Sequence, residues 1–225
     1  MSVLAPKPSH ADQPVRSWGA SLFSAKAAVI MVHGRGASAD DILELAPALI
    51  EPALQAPKHK TPAVAFLAPQ AAGNTWYPNR FLAPIESNEP GISSAMSVLA
   101  DLEGRVLKAG IPMNAVFFLG FSQGACLVLE YAARNARQFG GVIGLSGSLI
   151  GPADTPRDYE GSFQGARVFM GCSDVDPHIP KERFLQSADV LKRLQATVDA
   201  RIYPGLGHTI NKDEIDAVKS MLQSL

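Results

Sequence analysis

The sequence is poor in cysteine, in net charge and in long apolar runs, and each shortage excludes something. Only two of its 225 residues are cysteine, Cys126 and Cys172. They are too few and too far apart for a disulfide framework or a Cys-rich zinc site. Twenty Lys and Arg against 21 Asp and Glu leave a formal net charge of −1. A chain without a basic excess lacks what phosphate-backbone binding draws on, so nucleic acid is not an expected partner. No apolar run approaches the roughly 20 residues that cross a bilayer. The first residues, Met1-Ser2-Val3-Leu4-Ala5-Pro6-Lys7-Pro8, show no basic stretch followed by an apolar one, so no secretory signal is expected. The expectation is a cytoplasmic protein with no membrane span and reduced thiols.

What the sequence does have is order. Hydrophobic residues make up 47% and charged residues 18%, a globular balance at a length that suits one domain. Short apolar runs recur at 27–32, 63–68, 115–119, 141–145, 166–170 and 197–203, the first five nearly continuous. Continuous runs of this length read as strands buried on both faces, as in a parallel sheet. Between them, Ile92, Met96, Leu99, Leu102 and Val106 keep helical spacing, as do Phe184, Ala188, Leu191 and Leu194, and then Ile215, Val218 and Leu222. Asn211 followed three residues on by Glu214 reads as a capping box opening the last helix. A further helical stretch over 41–50 must kink or shorten at Pro47. Strands alternating with helices imply an α/β fold, with a mostly parallel central sheet flanked by helices on both faces. Residues 1–13 read as a loose N-terminal arm and 14–225 as one domain. The Gly- and Pro-rich segments 71–90 and 148–165 are too long for turns and read as walls of a site.

The strongest motif is Gly120-Phe121-Ser122-Gln123-Gly124, between the strand-like Val116-Phe117-Phe118-Leu119 and an apolar helical stretch. In that context a G-x-S-x-G is a nucleophile elbow, with the serine on a tight turn and glycines where side chains would collide. A serine needs a base. Of five histidines, only His178 and His208 follow Ser122 in the order such sites use. His208 lies in the Gly-rich loop after the last strand, which makes it the candidate base. The candidate acid is Asp176, with Asp174 as the competitor whose alternative role is to hold the loop. The expected oxyanion donors are the backbone N–H groups of Gln123 and Arg35, the latter in Val32-His33-Gly34-Arg35-Gly36-Ala37-Ser38. His33 is expected to order this loop. The Arg35 side chain either grips a substrate carboxylate or is solvated or pinned to Asp40 or Asp41. Trp76, Tyr77 and Phe81, with Leu82, either line a substrate pocket or pack their loop onto the domain; His178 and Ile179 are further pocket-wall candidates. Arg80 beside them either binds an anion or is solvated.

Taken together, His33-Gly34-Arg35-Gly36, Gly120-Phe121-Ser122-Gln123-Gly124, Asp176-Pro177-His178-Ile179-Pro180 and Gly207-His208 resemble the phospholipase/carboxylesterase family of α/β-hydrolases, which includes acyl-protein thioesterases and small carboxylesterases. The resemblance covers roughly residues 25–222. It implies an α/β-hydrolase fold and a cofactor-free serine hydrolase of carboxylic esters or thioesters. It also implies Ser122, Asp176 and His208 as the triad, with oxyanion donors at Arg35 and Gln123 and no metal. Acyl-protein thioesterases usually carry an apolar residue where this chain has Arg35, and Ala71 to Pro78 looks more like the bacterial carboxylesterase branch. Two other readings stay open: a hydrolase of small acidic or cyclic esters, like dienelactone hydrolases, and an inactive hydrolase-fold binding protein. The expected partner is a small-molecule ester; a homodimer is left open.

Overall fold

The computed structural model describes residues 10–50 and 64–223. Among these residues seven strands form one sheet in the order β1-β3-β2-β4-β5-β6-β7: β1 Val15–Gly19, β2 Ala27–Val32, β3 Val64–Pro69, β4 Val116–Phe121, β5 Gly141–Leu145, β6 Arg167–Ser173 and β7 Thr197–Tyr203. Every neighbouring pair is parallel except β1 with β3. Each of the apolar runs becomes a strand, although Ala63 lies outside the described residues. All residues of β2, β3 and β5 are buried, which is why their sequences do not alternate. β1 was not anticipated. It is an edge strand of five residues with Arg16 and Ser17 exposed, and only its antiparallel pairing with β3 defines it.

Among the described residues six α-helices cover the sheet: α1 Ala39–Leu43, α2 Leu45–Ile50, α3 Gly91–Lys108, α4 Gln123–Arg134, α5 Lys181–Arg193 and α6 Lys212–Gln223. They lie on both faces. Phe118 of β4 stacks at 5.1 Å on Tyr131 of α4. Phe117, pointing the opposite way along the pleat, lies with Met221 of α6 around Gly141. Among the described residues no helix is long and apolar enough to cross a membrane.

The helix boundaries follow local chemistry. The 41–50 stretch divides into α1 and α2 at Glu44, with Pro47 in the first turn of α2, where it removes no helical hydrogen bond. Asn211 Oδ1 accepts from Glu214 N at 3.0 Å while Glu214 Oε2 accepts from Asn211 N at 2.8 Å. This reciprocal cap contributes about 1 kcal/mol to α6.

The N-terminal segment departs from the expectation of looseness where it is described. His10 is buried; it receives the Ala72 amide at Nδ1 (3.0 Å) and donates from Nε2 to the Trp76 carbonyl (2.9 Å). Residues 1–9 of the expected arm lie outside the described residues.

Candidate active site

The carboxyl ends of the parallel strands meet at one edge of the sheet, where ligands bind in open α/β folds. β4 delivers Ser122 there. Its backbone has φ 54° and ψ −118°, a conformation that costs a non-glycine residue about 1–3 kcal/mol. The surroundings impose it. A Cβ at Gly120 would run into the Gly124 carbonyl, and one at Gly124 into the carbonyl of Val32. Glycines at these two positions therefore let strand, turn and helix fold back on one another.

His208 comes from the loop after β7 and Asp176 from the loop after β6. Asp176 Oδ2 accepts from His208 Nδ1 at 2.7 Å, and Ser122 Oγ lies 2.8 Å from His208 Nε2. A carboxylate only accepts, so Nδ1 carries the imidazole proton and Nε2 is left to accept the serine hydroxyl. Burial by itself would raise the Asp176 pKa. Hydrogen bonds from the His208 ring and from the amides of His178 (2.8 Å) and Ile179 (3.0 Å) outweigh that and hold it below the usual carboxylate range. The Asp176 side chain has no solvent exposure, whereas that of His208 has 18%.

Asp174 does the other work considered for it. Its Oδ1 accepts from Gly205 N at 2.8 Å, and Ser173 Oγ accepts from Gly207 N at 3.0 Å. Together they brace the turn that carries His208. Ser173 went unnoticed in the sequence, because a serine ending a strand has no distinguishing pattern.

The loop after β2 closes the other side. An added Cβ at Gly34 would lie 3.3 Å from the Cβ of Ser122, so this loop abuts Ser122. His33 is fully buried. Ala71 N donates to its Nε2 at 3.1 Å, so its Nδ1 donates to the Gly34 carbonyl at 2.7 Å. Burial lowers its pKa and keeps the ring neutral.

Arg35 is exposed, but its guanidinium pairs with neither Asp40 nor Asp41. It donates to the carbonyls of Tyr77 (2.9 Å), Pro78 (2.9 Å) and Asn79 (2.6 Å). Gln123 clamps the same segment, accepting from Trp76 N at 2.9 Å and donating to the Tyr77 carbonyl at 2.8 Å. The sequence suggested only a backbone role for Gln123, because its side-chain partners lie 46 and 47 residues away.

A cleft of about 840 Å³ opens over Ser122, lined among others by Arg35, Tyr77, Arg80, Phe81, Gln123, His178, Ile179 and His208. Trp76 is a correction. It is buried behind the wall, with its indole N–H on the His33 carbonyl at 2.9 Å and its ring 5.0 Å from that of His33. The free cysteines are both buried; burial pushes each thiol up to about 12. Neither is a thiolate near neutral pH. Among the described residues no group of three or more His, Cys, Asp or Glu side chains is arranged to hold a metal ion.

Comparison with known proteins agrees with this architecture. The family model for phospholipase/carboxylesterase matches residues 21–225. The chain belongs to the phospholipase/carboxylesterase family. Within the family it is similar to the crystal structure of a phospholipase/carboxylesterase from Dyadobacter fermentans, at 38% identity and a TM-score of 0.86, covering 94% of this chain and 97% of that one. It is also similar to acyl-protein thioesterase 1 of Gibberella zeae, at 31% identity over 59% of this chain and 57% of the relative. Lysophospholipase-like protein 1 of mouse is 28% identical over 66% of this chain and 63% of the relative. The matches thus span less than two thirds of these curated relatives' own length.

Proposed function

We propose that this family member is a serine hydrolase of carboxylic esters, or thioesters, of small or medium size. The observation that carries the reading is the unbroken hydrogen-bonded series Ser122–His208–Asp176 at the floor of the cleft. As Ser122 Oγ bonds to the substrate carbonyl carbon, its proton passes to His208 Nε2, and Asp176 stabilises the imidazolium. The carbonyl oxygen becomes an oxyanion facing the backbone N–H groups of Gln123 and Arg35. Gln123 opens α4, so its amide is among those without a partner inside the helix, and the helix dipole favours the negative charge. Collapse breaks the bond to the alcohol or thiol, which takes the proton from His208. Water, activated by the same histidine, then releases the acid and restores Ser122. The aliphatic and aromatic side chains of Tyr77, Phe81, Phe121 and Ile179 are the surface against which an apolar part of the ester would rest.

Replacing Ser122 with Ala is expected to abolish both turnover of 4-nitrophenyl esters and labelling by a fluorophosphonate. Wild-type-like turnover by pure Ser122→Ala protein sinks the proposal. Absence of labelling in the wild type would instead favour a binding protein that has lost its chemistry. Two free, buried thiols suit a reducing compartment such as the cytoplasm.

A further inference from the structure

Two arginines line the cleft, and they are not equivalent. Three donor contacts hold the Arg35 guanidinium to the carbonyls of residues 77, 78 and 79. It is a staple, and a ligand could recruit it only by undoing the wall. Arg80 lies on the same wall but makes one long contact, from Nη2 to the His178 carbonyl at 3.4 Å. Among the described residues no carboxylate forms an ion pair with it, and its side chain is exposed.

The position of Arg80 is fixed although its head is not. Its carbonyl accepts from Asn88 Nδ2 at 3.1 Å, and the preceding amide, Asn79 N, donates to Asn88 Oδ1 at 2.8 Å. Asn88 itself is fully buried. A backbone held by Asn88 thus presents a weakly held guanidinium beside the His178 loop. The residues lining the cleft include no Asp and no Glu. The two charged side chains in the lining are thus both cationic, and they stand beside the apolar surfaces of Tyr77, Phe81, Phe121 and Ile179.

We propose that Arg80 selects substrate, so that the preferred esters carry a carboxylate separated by an apolar spacer from the scissile carbonyl. A guanidinium fork binds a carboxylate through two parallel N–H donors, a geometry that lysine does not reproduce. The long bond to the His178 carbonyl is the weak contact such a ligand replaces. The assignment rests on the ester-hydrolase reading above and narrows its substrate class.

The test compares matched esters. With the carboxylate on the acyl side, 4-nitrophenyl hydrogen adipate is set against 4-nitrophenyl hexanoate. With it on the alcohol side, 4-acetoxybenzoate is set against 4-acetoxybenzamide. The quantity read is the anionic-to-neutral ratio of kcat/KM within each pair. The wild type is expected to favour the anionic member of one pair, which identifies the side of the substrate that Arg80 grips. Arg80→Gln should lower that ratio about tenfold, mainly through KM, and Arg80→Lys should restore part of it. The wild-type preference should also shrink as salt is raised, since the guanidinium is exposed. A ratio that Arg80→Gln leaves unchanged in both pairs, with the neutral esters still hydrolysed, overturns this assignment alone. Failure of the wild type to hydrolyse any of the four, together with no fluorophosphonate labelling, overturns the hydrolase reading as well.

Discussion

Two regions meet at Ser122, and both are built from residue types that serve in catalysis. Around the loop after β2, His33, Arg35 and Gln123 all turn their polar atoms to the backbone: carbonyls and amides of residues 34, 71 and 76–79. Around the loops after β6 and β7, the His208 ring lies between Asp176 Oδ2 and Ser122 Oγ. A histidine whose two ring nitrogens face an amide donor and a carbonyl acceptor has one stable tautomer and nowhere to pass a proton. A histidine between a carboxylate and a hydroxyl can accept a proton and have its charge stabilised. The residue type alone does not distinguish a scaffold from a proton carrier; its partners do.

The sharpest way to break this comparison lies in the two aspartates after β6. Asp176→Asn should lower kcat on the order of 10⁴, as loss of an imidazole-orienting carboxylate does elsewhere. Asp174→Asn keeps an oxygen that can accept from Gly205 N and should cost no more than about tenfold. Steady-state kinetics on a 4-nitrophenyl ester checks both, and the reverse ranking would make Asp174 the acid.

On the scaffold side, His33→Ala strands the Ala71 amide and the Gly34 carbonyl in the interior. A melting-temperature fall of roughly 5–10 °C is expected. If calorimetry shows no fall, His33 is not the post that this region is built on.

Glu214 sharpens the comparison through pH. It is fully buried against Gly171 of β6, its Oε1 without a hydrogen-bond partner. Burial raises its pKa from 4.5 to about 7, against the bond from Asn211 N. The folded state thus binds more protons than the unfolded chain between those values. The contribution to stability is complete below about 4.5 and is lost as pH rises through about 7. The Glu214 contribution should fall on the order of 2 kcal/mol across that window, while the lowered pKa values of His10 and His33 act in the opposite sense. In Glu214→Gln, denaturant unfolding at several pH values should show that fall removed; an unchanged slope would assign the proton uptake to another group.

The smallest effect expected is that of Arg35→Ala. Losing three bonds to an exposed loop should cost about 1 kcal/mol. It should raise KM for neutral and anionic esters by the same few-fold factor. A loss confined to anionic esters would move Arg35 from the scaffold to the substrate.

Much of this was legible in the sequence. Buried parallel strands need continuous apolar residues, so 27–32 and 141–145 match β2 and β5 in extent; 197–203 matches β7, an edge strand with no buried residue. The Ser122 turn requires glycine at 120 and 124 because backbone occupies the space of their side chains. Other features were not legible for equally physical reasons. β1 carries no apolar periodicity, since an edge strand with Arg16 and Ser17 exposed needs none. Trp76 looked like pocket lining because an aromatic side chain in a loop is compatible with either side of a wall. Only its indole bond to the His33 carbonyl and its burial decide which side it takes.

The amino-acid order by itself determined the layered α/β architecture and the elbow, because buried strands, helix faces and tight turns each demand residue types at short, regular spacing. Which arginine staples and which stays available, which aspartate reaches the imidazole and which braces a turn were decided by the fold alone. Those choices depend on partners 31 to 98 positions away along the chain. No local pattern encodes contacts that exist only once separate strands end at the same edge.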